Sequence, residues 1–293
     1  MQHLPPARIA ALHDLSCVGR CALTVILPTL SVMGYQTVPV PTALLSSHTG
    51  GFDHLYFRDL TEDMHGISAH FRRLELSFRA IYTGFLGSED QIETVKAFLE
   101  DFGRIPDESA RTPLILVDPV MGDDGELYST YTRTLADGMR ELCRYAEVLT
   151  PNLTEACLLT DTPYRDTRRM REEERRSFAL SLLSSLERFG ADRIVITGIE
   201  NERGDVENVG RDVDGSCFSV VRPHLSASYP GTGDLFASVL LGSLLGGKDF
   251  CSAVGEASDF VGRVIAASRC IDTPVRMGVA LEPQLKYLIE KGE

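Results

Sequence analysis

RIVITG (193–198) and, shortly after it, ENVGRDVDGSCFSVVRP (207–223) have different rhythms, and that difference sets the fold. The first is a nearly unbroken apolar run, as expected of a strand covered on both faces in a parallel sheet. The second alternates polar and apolar residues on either side of Asp-Val-Asp-Gly, which suggests an antiparallel hairpin. A mostly parallel sheet ending in an antiparallel edge hairpin is therefore expected.

Upstream, RIAAL (8–12), TVPVPTALL (37–45), AIYTGFL (80–86), PLILVDPV (113–120) and AEVLTP (146–151) read as further strands. Helical patterns separate them, near 20–33, 59–77, 89–102, 132–144, 153–160 and 170–190. This alternation predicts helices on both faces of the sheet, a three-layer α/β/α sandwich. Downstream of the hairpin, helices are expected near 232–246, 250–268 and 279–290. RDTRRMREEERR (165–176) reads as a loop leading into a solvated helix face. With no repeat or low-complexity linker, residues 1–293 are expected to form one domain.

Composition narrows the function. Of 293 residues, 29 are Lys or Arg and 42 are Asp or Glu, a formal net charge of -13. That balance argues against nucleic acid as a partner, because such binding needs a basic surface to displace counterions. An anionic ligand would have to be held locally, by backbone amides or a bound metal. Cysteines 17, 21, 143, 157, 217, 251 and 270 do not form a disulfide-like pattern and read as buried thiols in a reducing compartment. Cys17 and Cys21 lack the second pair that a zinc site needs. The start of the chain has no signal-peptide pattern, and the apolar stretch 235–247 is too short to span a bilayer. A cytoplasmic protein, with no membrane partner, is expected.

In an open parallel sheet, ligands bind beyond the carboxyl ends of the strands. Asp118, Asn152, Glu155, Thr197 and Gly198 fall there, and the first strand runs into HDLSCVGR. PGTGD (230–234) opens the helix expected near 232. Glycines at 231 and 233 permit close approach of an anion to amides that have no intrahelical partner. Asp234, beside that anion, would hold or deprotonate an attacking hydroxyl. The plainer reading makes PGTGD a turn with Thr232 or Asp234 as helix cap. Asn152 and Glu155 likewise have capping-box spacing, which does not prevent Glu155 from acting through water on a magnesium ion. GSLLGGK (242–248) imitates a phosphate loop, but Asp249 stands where Ser or Thr is required and no strand precedes it. No G-x-G-x-x-G follows the first strand, which disfavours a dinucleotide-binding dehydrogenase.

HDLSCVGR, PTALLSSHTGG, YTGFLGS, DPVMGDDGELY, TPNLTEA, VITG and PGTGDLFASVLLG follow one another from about residue 8 to 265. Together they resemble the pyridoxal (pyridoxine, pyridoxamine) kinases of the ribokinase-like superfamily. The resemblance implies transfer of the γ-phosphoryl group of ATP to the 5′-hydroxymethyl of a pyridine ring. It makes Asp234 the catalytic base and Gly231, Thr232 and Gly233 the anion hole. Asp118 and Glu155 would organise Mg²⁺, with Asn152, Thr197 and Gly198 near the nucleotide phosphates and Tyr128 against ATP. Ser47, His48 and Thr49 would line or cover the pyridine. A homodimer is implied, and use of a monovalent cation is left open.

Two departures bear on substrate range. Phe85 stands where the family often has tyrosine, keeping the aromatic face without the hydroxyl. The loop after the first strand is short, so either Asp14 or Ser16 would contact the ring. Hydroxymethylpyrimidine kinases of thiamine synthesis share the fold but often resemble GTGC, with cysteine at the position of Asp234. Sugar kinases carry a lid that residues 35–58 are too short to form, and a non-catalytic binder would have lost the base or the anion hole.

Overall fold

The computed structural model describes residues 6–128, 131–223, 229–271 and 274–289. The chain opens with β1 (Arg8–Ser16), α1 (Leu23–Val32), β2 (Gln36–Leu45), β3 (Phe57–Asp59) and α2 (Thr61–Arg73). Next come β4 (Ala80–Thr83), α3 (Asp90–Phe102), β5 (Leu114–Val117), and the small hairpin of β6 (Gly122–Asp123) and β7 (Glu126–Leu127). The alternation continues through α4 (Arg133–Leu142), β8 (Val148–Leu149), α5 (Leu153–Thr160), α6 (Glu172–Leu186) and β9 (Arg193–Glu200). β10 (Val206–Arg211), β11 (Cys217–Arg222), α7 (Thr232–Leu245) and α8 (Phe250–Cys270) follow.

The main sheet has nine strands in the order β11-β10-β9-β8-β5-β4-β1-β2-β3. Strands β2, β1, β4, β5, β8 and β9 are parallel. The antiparallel pair β10–β11 forms one edge, as expected, and its turn closes through Gly215 at φ 83°. The other edge, β3, is antiparallel to β2. It is three exposed residues long, so no hydrophobic alternation announces it.

Burial explains the unbroken apolar strands. Ala10, Leu12, Ile81, Val117, Ile194 and Ile196 pack on the face covered by α2 to α6. Their sequence neighbours Ile9, Ala11, Ala80, Tyr82, Leu116 and Val195 pack on the other face, against α1, α7 and α8. Successive strand side chains point to opposite faces, so a sheet between two helical layers needs both sets apolar. The charged run 165–176 behaves as expected: Glu172, Glu173 and Glu174 sit in the first turn of α6, where acidic side chains complement the helix dipole.

Three expectations need correction. No α-helix spans 279–290 among the described residues; a single 3₁₀ turn, Leu285–Tyr287, stands there instead, preceded by another at Val275–Met277. Pro283 removes one helical N–H, and the backbone closes tight turns instead, the Gln284 N–H donating to the Leu281 carbonyl and the Leu288 N–H to the Leu285 carbonyl. The first helix starts at Leu23, not near 20, because Arg20 and Ala22 take positive φ of 45° and 49°. Only Cys21, Cys143 and Cys157 are buried; Cys17, Cys217, Cys251 and Cys270 are exposed free thiols. The phosphate-loop imitation is spent on structure: Lys248 pairs with Glu256, and Asp249 caps α8 by accepting from the Ser252 N–H.

Candidate active site

The carboxyl ends of β1, β4, β5, β8 and β9 open into a cavity of about 1190 Å³. Asp14, Ser16, His48, Thr49, Phe85, Asp118, Tyr128, Asn152, Glu155, Thr197, Gly198, Gly231, Thr232, Gly233 and Asp234 all line it. Ser47 does not; it is buried away from the cavity wall.

The start of α7 is built around an uncapped glycine. Gly231 is the N-cap residue at φ 80°, and no side chain caps the helix. A Cβ on Gly231 would stand 2.2 Å from the backbone oxygen of Arg20. Thr232 is occupied elsewhere, donating its hydroxyl to the Tyr229 carbonyl at 3.0 Å. The cap reading of Thr232 and Asp234 is therefore not what the structure contains. A Cβ on Gly233 would meet nothing within 4 Å, so packing does not demand that glycine. It leaves the first turn bare toward the cavity, the geometry in which helix amides receive an anion.

Asp234 sits in that first turn, its side chain 15% exposed. Its Oδ2 accepts from the Ala22 N–H at 2.8 Å. The left-handed backbone at Arg20 and Ala22 turns that amide toward Asp234, a strained loop held at a candidate site. Burial raises the Asp234 carboxyl above its ordinary range.

Further carboxylates crowd the same floor. Asp14 accepts from the Ser16 hydroxyl at 2.7 Å, and burial still pushes it up to about 7. Asp118 Oδ1 accepts from the Thr150 hydroxyl at 3.0 Å; burial, then the charge of Asp234, holds it above the usual carboxylate range. Glu155 completes a reciprocal capping box with Asn152 and also accepts from the Met121 N–H at 3.1 Å. Burial, then Asp118, raises it as well. No Lys or Arg pairs with Asp14, Asp118 or Glu155 among the described residues. Buried acids that raise one another and lack a cationic side chain suit a metal cation. No group of three or more His, Cys, Asp or Glu side chains is gathered to ligate one directly among the described residues. A hard cation that keeps several waters needs only few carboxylates, and Asp118 and Glu155 supply such a pair on this floor.

The remaining walls are defined by backbone. The Thr197 N–H donates to the Pro151 carbonyl at 2.9 Å, joining the ends of β8 and β9. Gly198, at φ 74°, donates its N–H to Asn208 Oδ1 at 3.1 Å. The His48 ring is fixed at both nitrogens: Nδ1 accepts from the Gly50 N–H at 3.1 Å, so Nε2–H donates to the Arg276 carbonyl at 2.8 Å. It fits only because Gly19 has no side chain, since a Cβ there would lie 2.0 Å from the ring. Phe85 stands edge-on to Tyr131 with ring centroids 5.9 Å apart. Sequence reasoning missed the Ala22 amide and Thr150. Thr150 was findable in LTPN as a hydroxyl at a strand end; nothing in the residue type marks Ala22.

Residues 13–276 match the phosphomethylpyrimidine kinase family. The pyridoxine/pyridoxal/pyridoxamine kinase of Bordetella avium is 30% identical over 268 residues, 87% of this chain and 83% of that protein. A Bacteroides thetaiotaomicron protein provisionally described as a phosphomethylpyrimidine kinase, crystallised with pyridoxal, superposes with TM-score 0.88 at 39% identity, covering 97% of this chain and 96% of that one. Pyridoxal kinase from Lactobacillus plantarum superposes with TM-score 0.85 at 30% identity, again over 97% and 96% of the two chains. With the cavity, the bare helix start and these likenesses together, the chain belongs to the phosphomethylpyrimidine kinase family, among its pyridoxal kinases.

Proposed function

We propose that the protein transfers the γ-phosphoryl group of ATP to the 5′-hydroxymethyl of pyridoxal, pyridoxine or pyridoxamine, yielding ADP and the 5′-phosphate. The observation that carries this is the start of α7: Asp234 is anchored on the Ala22 N–H while Gly231 and Gly233 leave the neighbouring amides open to an anion. The rival pyrimidine kinases, which often carry cysteine in place of that acid, fit Asp234 less well. The pyridoxal in the Bacteroides protein supports the same choice.

In this mechanism Asp234 takes the proton of the 5′-hydroxyl as its oxygen attacks the γ-phosphorus and the bond to ADP breaks. A raised carboxyl pKa makes it a better proton acceptor than an ordinary aspartate. The N–H groups at the start of α7 stabilise the charge on the transferring group, where positioning and electrostatics supply most of the catalysis. Asp14 or Ser16 contacts the ring hydroxyl, and Phe85, His48 and Thr49 wall the ring. Tyr128, Asn152, Thr197 and Gly198 serve the nucleotide. Asp118, and Glu155 through water, would hold Mg²⁺, which when bound neutralises phosphate charge. Residues 1–293 act as one kinase domain, in the cytoplasm and as a homodimer; a monomeric mass by light scattering would contradict that assembly.

Asp234→Asn tests the reading. Turnover should fall by roughly 10²–10⁴, the share of a general base, while ATP affinity stays near wild type. A variant with wild-type kcat would remove Asp234 from the role.

A further inference from the structure

Beneath Asp234 lies a polar side chain that the mechanism above does not use. His13 is fully buried on β1, on the same face of the sheet as Tyr82 and under α7. Neither ring nitrogen has a hydrogen-bond partner among the described protein atoms. Its Nδ1 lies 3.9 Å from Asp234 Oδ1. Buried imidazole nitrogens ordinarily find partners, because desolvating them unpaired is costly.

The surroundings hold the ring in this position. Tyr82 stands edge-on to it, with centroids 4.2 Å apart. A Cβ on Gly84 would lie 2.2 Å from Cε1 and 2.4 Å from Nδ1, so the glycine of the Tyr-Thr-Gly run makes room for this histidine. Burial lowers His13 to about 3, so the imidazole is neutral and carries one N–H. The carboxylate facing Nδ1 selects the tautomer with the proton on that nitrogen.

We infer that His13 is a positioning residue for Asp234: its Nδ1–H and the Ala22 N–H together fix the orientation of the carboxylate when substrate is bound. The distance of 3.9 Å is too long for a hydrogen bond. Catalytic hydrogen bonds are often long without substrate and tighten in the complex. Ala22 anchors Oδ2, so a small rotation of the carboxylate brings Oδ1 onto the imidazole. Each oxygen keeps a second lone pair for the hydroxyl proton. A neutral donor suits a base, because a Lys or Arg in the same place would lower the carboxyl pKa and weaken it as a proton acceptor. The inference rests on Asp234 being the base.

The test uses purified His13→Asn, His13→Gln and His13→Leu, with Asp234→Asn in the same series. Asn places an amide N–H near the position of Nδ1, Gln places one near Nε2, and Leu fills the space without a donor. His13→Leu and His13→Gln should lose roughly tenfold in kcat, part of the 10²–10⁴ that a general base supplies, with KM for ATP unchanged. His13→Asn should recover most of the loss. If His13→Leu fails to fold, the Asn and Gln variants decide between themselves. Equal kcat for Asn and Gln, or wild-type turnover in Leu, overturns the inference. If Asp234→Asn is inactive while His13→Leu is unimpaired, only the role of His13 falls. If Asp234→Asn keeps its turnover, the base assignment falls and the inference with it.

Discussion

The buried carboxylate of Asp14 makes a pH dependence that a single substitution isolates. Burial lifts Asp14 from 3.8 to about 7, with the Ser16 hydroxyl opposing the rise and Asp234 adding to it. Between those values the native state holds a proton that the unfolded chain has lost. The contribution of this group is therefore fully present below its unfolded value and is lost as pH rises through about 7. At about 1.4 kcal/mol per unit, the full cost above about pH 8 is about 4 kcal/mol, of which about 3 develops between about pH 5 and 8. Asp14→Asn removes the titration and keeps the shape and an acceptor for Ser16. Denaturant unfolding of both proteins at about pH 5 and 8 measures the difference. The stability of wild type should drop by about 3 kcal/mol more than that of the variant. Asp118 and Glu155 titrate in both proteins and cancel in the comparison. Parallel losses in the two proteins would refute the reasoning.

Gly231→Ala should cost about 1–2 kcal/mol for the left-handed backbone alone, more with the collision against the Arg20 carbonyl. A thermal shift should show Tm lowered by several degrees, and kcat should fall further than the affinity for ATP; an unchanged Tm would contradict the geometry. Glu155→Gln puts an amide donor where the Met121 or Asn152 N–H needs an acceptor, a loss of about 1–3 kcal/mol. Its Mg²⁺ titration should move to higher concentration, and an unmoved titration would leave Glu155 with its capping role only.

The sheet was legible because its physics is local. Runs such as PLILV and RIVIT are apolar throughout, and only a strand covered on both faces tolerates that. The edge hairpin showed itself through alternation around Asp-Val-Asp-Gly. β3 did not, since three exposed residues paired by backbone alone carry no pattern. The closing segment 279–290 is apolar at helical spacing, yet its backbone settles into a 3₁₀ turn at Leu285–Tyr287, with Pro283 removing one helical N–H. Most of the candidate site was visible as polar residues at strand ends. The parts that hold Asp234 were not: the Ala22 amide depends on a backbone twist over residues 20–22, and His13 depends on tertiary room left by Gly84. Ser47 shows the converse, a residue of suitable type whose orientation only the fold decides.

The measurement that bears most directly on the function is ATP consumption by the purified protein with Mg²⁺, against pyridoxal, pyridoxine, pyridoxamine and hydroxymethylpyrimidine in parallel. Fast turnover of one or more of the three pyridines, with the product identified as the 5′-phosphate, is the predicted result. Turnover of the pyrimidine alone would contradict it and move the protein to thiamine chemistry, while silence on all four would contradict the kinase reading of this site.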